Sequence, residues 1–366
     1  MKIGIITLST RRDNYGGTLQ CYALQAFLQK MGHDAFLIRY TPRSWKLSLK
    51  KRIKALRSKI KAESVDDSKW IEQRKFEEFI ELNIPSTKVL YSKYKDFSTY
   101  PLDADVFITG SDQVWNWKTY DSTGYPWFLR FGNSGVKRIS YAASFGTAQA
   151  EKGFLNYIRP LLSGIDHVSV REKEGVDICK AVGVESSLVC DPTLLLNKDD
   201  YIALAKENGG SIDASEKTLC YLVGWKSGLP IEKVKKFGEE NSDGIMFFPT
   251  QGSPHVFENP AFPTVAGWLE AYSSCKYVMT NSFHGTIFAI LMQKQFITFG
   301  LSGRSSKMNS RVVTLLVQLG LEDRLWVEDN CSISEIAEKP INWEAVMSKL
   351  EDYRDDSVAF LSQCGL

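Results

Sequence analysis

Residues 277–289 read Y-V-M-T-N-S-F-H-G-T-I-F-A. An apolar strand pattern runs into a short polar turn, and an apolar helix pattern follows. The turn offers Asn281, Ser282, His284, Gly285 and Thr286 together. A helix that begins there points free backbone N–H groups and the positive end of its dipole outward. An anion, above all a phosphate, is the natural guest. His284 adds a group that titrates near the working pH. An anion cradle and an imidazole on one turn predict an enzyme that handles a phosphorylated donor.

The same β-turn-α rhythm recurs along the chain. Residues 2–8 form a continuous apolar run, as a buried parallel strand would. A loop over 9–17 leads to a helix pattern over 18–31, and 35–39 reads as the next strand. That opening is the start of a doubly wound α/β domain. Strand patterns at 105–109 and 138–142 run straight into G-S-D-Q-V-W-N at 110–116 and A-S-F-G at 143–146. Ligands of open α/β sheets sit where strands end, so the loops near Asn14, Asp112 and Ser144 are expected to meet at one rim.

A helix over 151–163 reads as the link into a second domain. Beyond it come strand patterns at 168–170, 188–190, 218–223, 245–248, 277–279 and 296–299, with helix patterns near 172–182, 230–241, 265–274, 285–293 and 310–319. The expected division is a first domain over 1–165, a second over 166–340, and a closing helix over 341–366 that packs back on the first.

Bulk properties agree with this class. A chain of 366 residues with 43% apolar and 24% charged residues suits a globular protein of two domains. The net charge of +2 supplies no electrostatic argument for nucleic acid. Seven cysteines form no C-x-x-C pair, and only four histidines accompany them, so no metal site is expected. Free thiols in a reducing cytoplasm are the simpler reading. The N-terminus turns polar too soon for a signal peptide, and no apolar run approaches a membrane span. Residues 43–61 carry nine Lys or Arg and no acid, with Trp45, Leu49, Ile53, Leu56 and Ile60 at helical spacing. Such a helix either packs on its own domain or lies on an anionic membrane surface, here the inner face.

Each strand-end constellation admits a chemical and an architectural reading. In 14–17, Gly16 and Gly17 permit close backbone approach to a ligand, while Asn14 suits a helix cap. Asp112 can accept a proton from a sugar hydroxyl, or cap a helix. Trp115 can stack on a sugar ring, or fill the core. Arg171, in S-V-R-E at 169–172, can clamp a carboxylate or phosphate, or pair with Glu174 at the surface. Asp191-Pro192-Thr193 reads as a turn of mainly architectural role. Arg304, Lys307 and Arg311 follow the histidine turn and can complete its charge balance.

Taken in order, N-Y-G-G at 14–17, G-S-D-Q-V-W-N at 110–116, S-V-R-E at 169–172, D-P-T at 191–193 and N-S-F-H-G-T at 281–286 resemble the polysaccharide pyruvyl transferase family. The resemblance spans about residues 1–320 and rests on the ordered set, since each motif alone is unspecific. It implies a GT-B-like fold of two Rossmann-like domains facing a cleft. It implies phosphoenolpyruvate as donor substrate without a cofactor, and a sugar hydroxyl pair, free or lipid-linked, as acceptor. The product implied is a pyruvate ketal on a cell-surface or capsular glycan. On this basis His284 and Asp112 are the expected catalytic pair. Arg171, Ser282, Gly285, Thr286, Arg304, Lys307 and Arg311 are expected on the donor side, and Asn14, Tyr15, Gly16, Gly17 and Trp115 on the acceptor side. Many relatives carry Arg two residues before the motif histidine; here that position is Ser282. A nucleotide-sugar glycosyltransferase on the same fold, or a glycan- or anion-binding protein without activity, are the alternatives.

Overall fold

The computed structural model describes residues 1–8, 14–42, 72–116, 124–223, 229–250, 256–300, 309–327 and 332–366. The basic segment 43–61, Arg304 and Lys307 lie outside the described residues.

Among the described residues, two parallel sheets carry the fold. The first has six strands in the order β2-β1-β3-β4-β5-β6. These are β1 Lys2–Ile6, β2 Asp34–Leu37, β3 Val106–Thr109, β4 Lys137–Ala143, β5 His167–Val170 and β6 Ser187–Leu188. The second has five strands in the order β11-β10-β9-β7-β8. These are β7 Thr218–Leu222, β8 Ile245–Pro249, β9 Tyr277–Thr280, β10 Gln295–Phe299 and β11 Leu325–Trp326. Strand order reverses between β1 and β3 in one sheet and between β7 and β9 in the other. Those are the switch points where a crevice opens at the carboxyl ends of the strands.

The first sheet continues through β5 and β6, past residue 165, where the β/α rhythm had placed the start of the second half. Rhythm reports the alternation of elements and says nothing about which sheet a strand joins. Two serines fasten β5 to β4. Ser140 Oγ donates to the Ser169 carbonyl at 3.0 Å, and Ser169 Oγ donates to the Ser140 carbonyl at 2.8 Å.

One apolar core runs across both sheets, from Ile3 and Ile108 to Trp268 and Phe288. Tyr15, in the first turn of the helix Tyr15–Lys30, is the pin between the halves. Its ring stacks on Trp268, with centroids 5.4 Å apart and planes 12° apart. Its hydroxyl donates to the Pro263 carbonyl at 2.6 Å. Tyr15 is therefore core and does not face an acceptor, because the first turn of its helix is covered by the second half. Tyr15→Phe keeps the stacking and leaves the Pro263 carbonyl unpaired, so it should lower stability by about 1 kcal/mol in a denaturant titration.

The helix Trp343–Gln363 closes the chain against both halves. Tyr353 donates to the Val189 carbonyl at 3.0 Å, the Cys190 N–H donates to Ser357 Oγ at 2.9 Å, and Lys137 Nζ donates to the Cys364 carbonyl at 2.7 Å. No helix among the described residues is long and apolar enough to cross a membrane.

Candidate active site

Arg171 and Asp191 lie just beyond the carboxyl ends of β5 and β6, which are neighbours in the first sheet. Both are buried. Arg171 Nη1 donates to Asp191 Oδ2 at 2.6 Å and to Ser111 Oγ at 3.3 Å, and Nη2 donates to Asp112 Oδ1 at 3.0 Å. Its Nε lies 3.8 Å from Glu172 Oε2, an ion-pair distance too long for a hydrogen bond. One guanidinium is thus ringed by three carboxylates. Glu172 is held by Ser144 Oγ at 2.6 Å and the Phe145 N–H at 3.1 Å. The second oxygen of Asp191 accepts from Thr193 Oγ1 at 2.7 Å and the Thr193 N–H at 3.1 Å.

Asp112 reaches this ring from a strained backbone, with φ at 63° in the left-handed region. Gly110 before it has φ at 113°, and a Cβ there would stand 2.2 Å from the Tyr141 carbonyl oxygen. The loop after β3 is therefore pressed against β4, which aims Asp112 at Arg171.

The histidine turn arrives from the second sheet. Ser282 caps the helix Phe283–Leu291 by accepting from the Gly285 N–H at 3.3 Å. The N–H groups of Phe283 and His284 lie in the first turn, where a helix offers them no intrahelical acceptor. The His284 side chain is 9% exposed, with Nε2 3.7 Å from Asp191 Oδ2. That is a charge contact, and Nε2 has no hydrogen-bond partner among the described residues. A Cβ on Gly16 would stand 2.2 Å from the imidazole Cγ and Nδ1. Only glycine at this position lets the first helix press on the ring, so both halves of the molecule hold His284.

The electrostatics follow from this packing. Burial pushes the Asp191 carboxyl up, yet His284, Arg171 and Thr193 hold it far below the usual carboxylate range. Burial likewise opposes ionisation of Asp112, and Arg171, His284 and Arg311 overcome it. Glu172 goes the other way, because burial outweighs Arg171 and Ser144 and its pKa rises. The site therefore combines two firmly ionised carboxylates with a third that binds its proton more tightly.

The expected residues divide. His284, Asp112, Arg171 and Gly16 meet at one place. Asn14 caps the helix Tyr15–Lys30 through the Gly17 N–H at 3.0 Å, and Gly17 packs on the Asn14 side chain. Trp115 is fully buried, stacked on Phe128 at 5.4 Å and donating to the Trp127 carbonyl at 3.0 Å. It is core rather than a sugar platform, since a strand-end loop turns its large residues inward. Thr286 is also buried, donating to the Ser282 carbonyl at 3.0 Å and paired with Thr298 Oγ1 at 2.8 Å. It faces β10, away from the helix opening. Gly285 is glycine for packing, because a Cβ there would stand 2.4 Å from Thr280 Oγ1. Asn281 bridges the Val223 N–H and carbonyl at 2.6 and 2.7 Å and ties the ends of β7 and β9.

Asp191 is the residue whose role changes most. It reads as a turn former in sequence and stands at the centre of the ionic cluster. The available signal was its position directly after a strand, the same as that of Arg171. Glu172, Ser111 and Phe283 also join the site; the Phe283 ring lies 4.8 Å from the Arg171 guanidinium and 5.5 Å from that of Arg311.

Residues 14–303 match the family model described as polysaccharide pyruvyl transferase. No curated protein matches the sequence. Among solved structures, the chain is similar to UDP-GlcNAc 2-epimerase from Methanocaldococcus jannaschii, 13% identical, with a TM-score of 0.51 over 96% of this chain and 92% of that one. It is also similar to a putative UDP-N-acetylglucosamine 2-epimerase from Listeria monocytogenes, 10% identical, with a TM-score of 0.50 over 97% and 90% of the two chains. At such low identity the likeness is one of architecture, a GT-B-like pair of parallel-sheet α/β domains.

Proposed function

The chain belongs to the polysaccharide pyruvyl transferase family, and from that premise we propose that it transfers the pyruvyl group of phosphoenolpyruvate to two hydroxyls of one sugar. The product is a cyclic ketal on a cell-surface glycan or its precursor, and inorganic phosphate is released. The observation that carries the reading is His284, a nearly buried imidazole in the first turn of its helix whose Nε2 lacks a hydrogen-bond partner among the described residues.

The chemistry places clear demands on these residues. The methylene carbon C3 must gain a proton, which makes C2 oxocarbenium-like. A sugar hydroxyl then attacks C2, the C2–O bond to phosphate breaks, and the second hydroxyl closes the ring. Of the two hydroxyl protons, one balances the proton gained by C3 and the other leaves with phosphate. His284 is the proposed proton carrier, as acid toward C3 or toward the departing phosphate. Asp191 stands behind it, with Oδ2 3.7 Å from Nε2. Asp112, kept ionised by Arg171, is the proposed base for the attacking hydroxyl.

Acceptor-dependent release of inorganic phosphate from phosphoenolpyruvate, measured across a panel of free and lipid-linked saccharides, tests this reaction. The expected product yields pyruvate on mild acid hydrolysis. Sugar transfer from a nucleotide sugar, with no phosphate released from phosphoenolpyruvate, would sink the proposal. Gly16→Ala offers a local check, because its methyl group must displace the imidazole. Misplacement of this size should cut turnover by up to about a hundredfold. Wild-type turnover in that variant would mean the contact between Gly16 and His284 is irrelevant to the chemistry.

A further inference from the structure

Among the described residues two arginines reach the site, and their surroundings differ. Arg171 has each polar edge of its guanidinium turned to a carboxylate: Asp191, Asp112 and Glu172. Those three neighbours already outnumber its charge. Its Nε, like that of Arg311, has no hydrogen-bond partner among the described residues, but an anion arriving there would face Glu172 Oε2 at 3.8 Å, and one arriving at Nη1 or Nη2 would have to displace a buried, charge-assisted hydrogen bond. Arg171 is a poor clamp for a phosphate or carboxylate.

Arg311 extends from the first turn of the helix Asn309–Leu319. It forms no ion pair among the described residues. Its neighbours are the Phe283 ring at 5.5 Å and the Gln113 amide. Turned so that its oxygen faces the guanidinium, that amide accepts from Nη1 at 3.2 Å and Nη2 at 3.0 Å. Arg311 Nε is buried without a hydrogen-bond partner among the described residues, as is His284 Nε2. Both side chains act on Asp112, and Phe283 adjoins both. Burial first, and then the like charge of Arg171, pull the Arg311 pKa down to about 10 against the opposing pull of Asp112, Glu172 and Asp191. Among the described residues no carboxylate comes within ion-pair distance of this cation and Arg171 repels it, and both deficits are relieved when an anion arrives.

We propose that Arg311, with Phe283 and His284, forms the receptor for the anionic group of the donor. Arg171 is a positioning residue that fixes Asp112 and Asp191. The assignment rests on the pyruvyl transfer reading only for the identity of the donor; the receptor itself is one for a phosphate or carboxylate.

Thermal unfolding of the wild type and of Arg311→Met, titrated separately with phosphoenolpyruvate, inorganic phosphate and pyruvate, tests it. Phosphoenolpyruvate should raise the wild-type midpoint, and Arg311→Met should fold yet bind it about ten- to a hundredfold more weakly. Whichever of phosphate and pyruvate loses its effect in the variant identifies the end of the donor that Arg311 holds. Unchanged phosphoenolpyruvate affinity in Arg311→Met would overturn the assignment, as would a wild type that responds to none of the three. A wild type stabilised by phosphate alone, with that response lost in Arg311→Met, keeps the receptor and removes phosphoenolpyruvate as donor. If Arg311→Met does not fold, Arg311→Gln is titrated in its place under the same criteria.

Arg171→Lys separates positioning from binding. Loss of the Nη2 contact should move the acid limb of kcat/KM to higher pH, because the Asp112 carboxylate is less stabilised. A donor ligand would raise KM without moving that limb.

Discussion

Arg171→Met should lower the stability of the protein by about 3–5 kcal/mol, the usual consequence of removing one partner from a buried ionic cluster. The reason is the fully buried guanidinium that Asp112, Asp191 and Glu172 share. Without it, three carboxylates face one another in a site that water hardly reaches. The sign of the pH dependence separates this from a simple packing defect. In the wild type, the folded pKa values of Asp112 and Asp191 are depressed. The stability these two contribute is present above their unfolded pKa of about 3.9 and is lost only as pH falls through still lower folded values. Both are silent between pH 8 and 5. In Arg171→Met the carboxyl pKa values rise, and protonation relieves the repulsion. The variant should therefore gain stability relative to the wild type as pH falls from 8 to 5. A deficit that stays constant over that range would mean the carboxylates do not depend on Arg171.

His284→Ala should reduce turnover by about a hundred- to ten-thousandfold, the span typical of a lost general acid or base. Donor affinity should fall far less, since the proposed anion contact is shared with Arg311. The imidazole makes no hydrogen bond through Nε2 among the described residues, so its removal leaves no new unpaired partner there and the fold should persist. A comparison of kcat with KM for phosphoenolpyruvate reads the outcome. Unchanged kcat in a folded variant would take His284 out of the mechanism.

The first and last turns of the fold were legible because strands and helices alternate with strong apolar periods. The helix Phe283–Leu291 and the strand before it were visible as one unit, and so was the placing of Asp112, Arg171 and His284 at strand ends. The helix Lys198–Glu207 went unread although Asn197 and Asp200 form a capping box, because its apolar period is weak. What the sequence withheld was adjacency. Nothing in residues 166–190 tells that β5 and β6 extend the first sheet, and only that adjacency sets Asp191 beside Arg171. Direction was hidden as well. Trp115 lies three residues after Asp112 and Tyr15 directly before Gly16, and both point into the core. Gly285 looked like room for a phosphate and proved to be room for Thr280.

Thermal unfolding of the wild-type protein with phosphoenolpyruvate, and separately with UDP-N-acetylglucosamine, tests the choice of donor most directly. A donor that binds only the folded state adds about 2.7 kcal/mol of stability at a hundredfold excess over its Kd. Pyruvyl transfer predicts a rise in midpoint with phosphoenolpyruvate and none with the nucleotide sugar. A rise with the nucleotide sugar alone would contradict it and assign the same scaffold to sugar transfer.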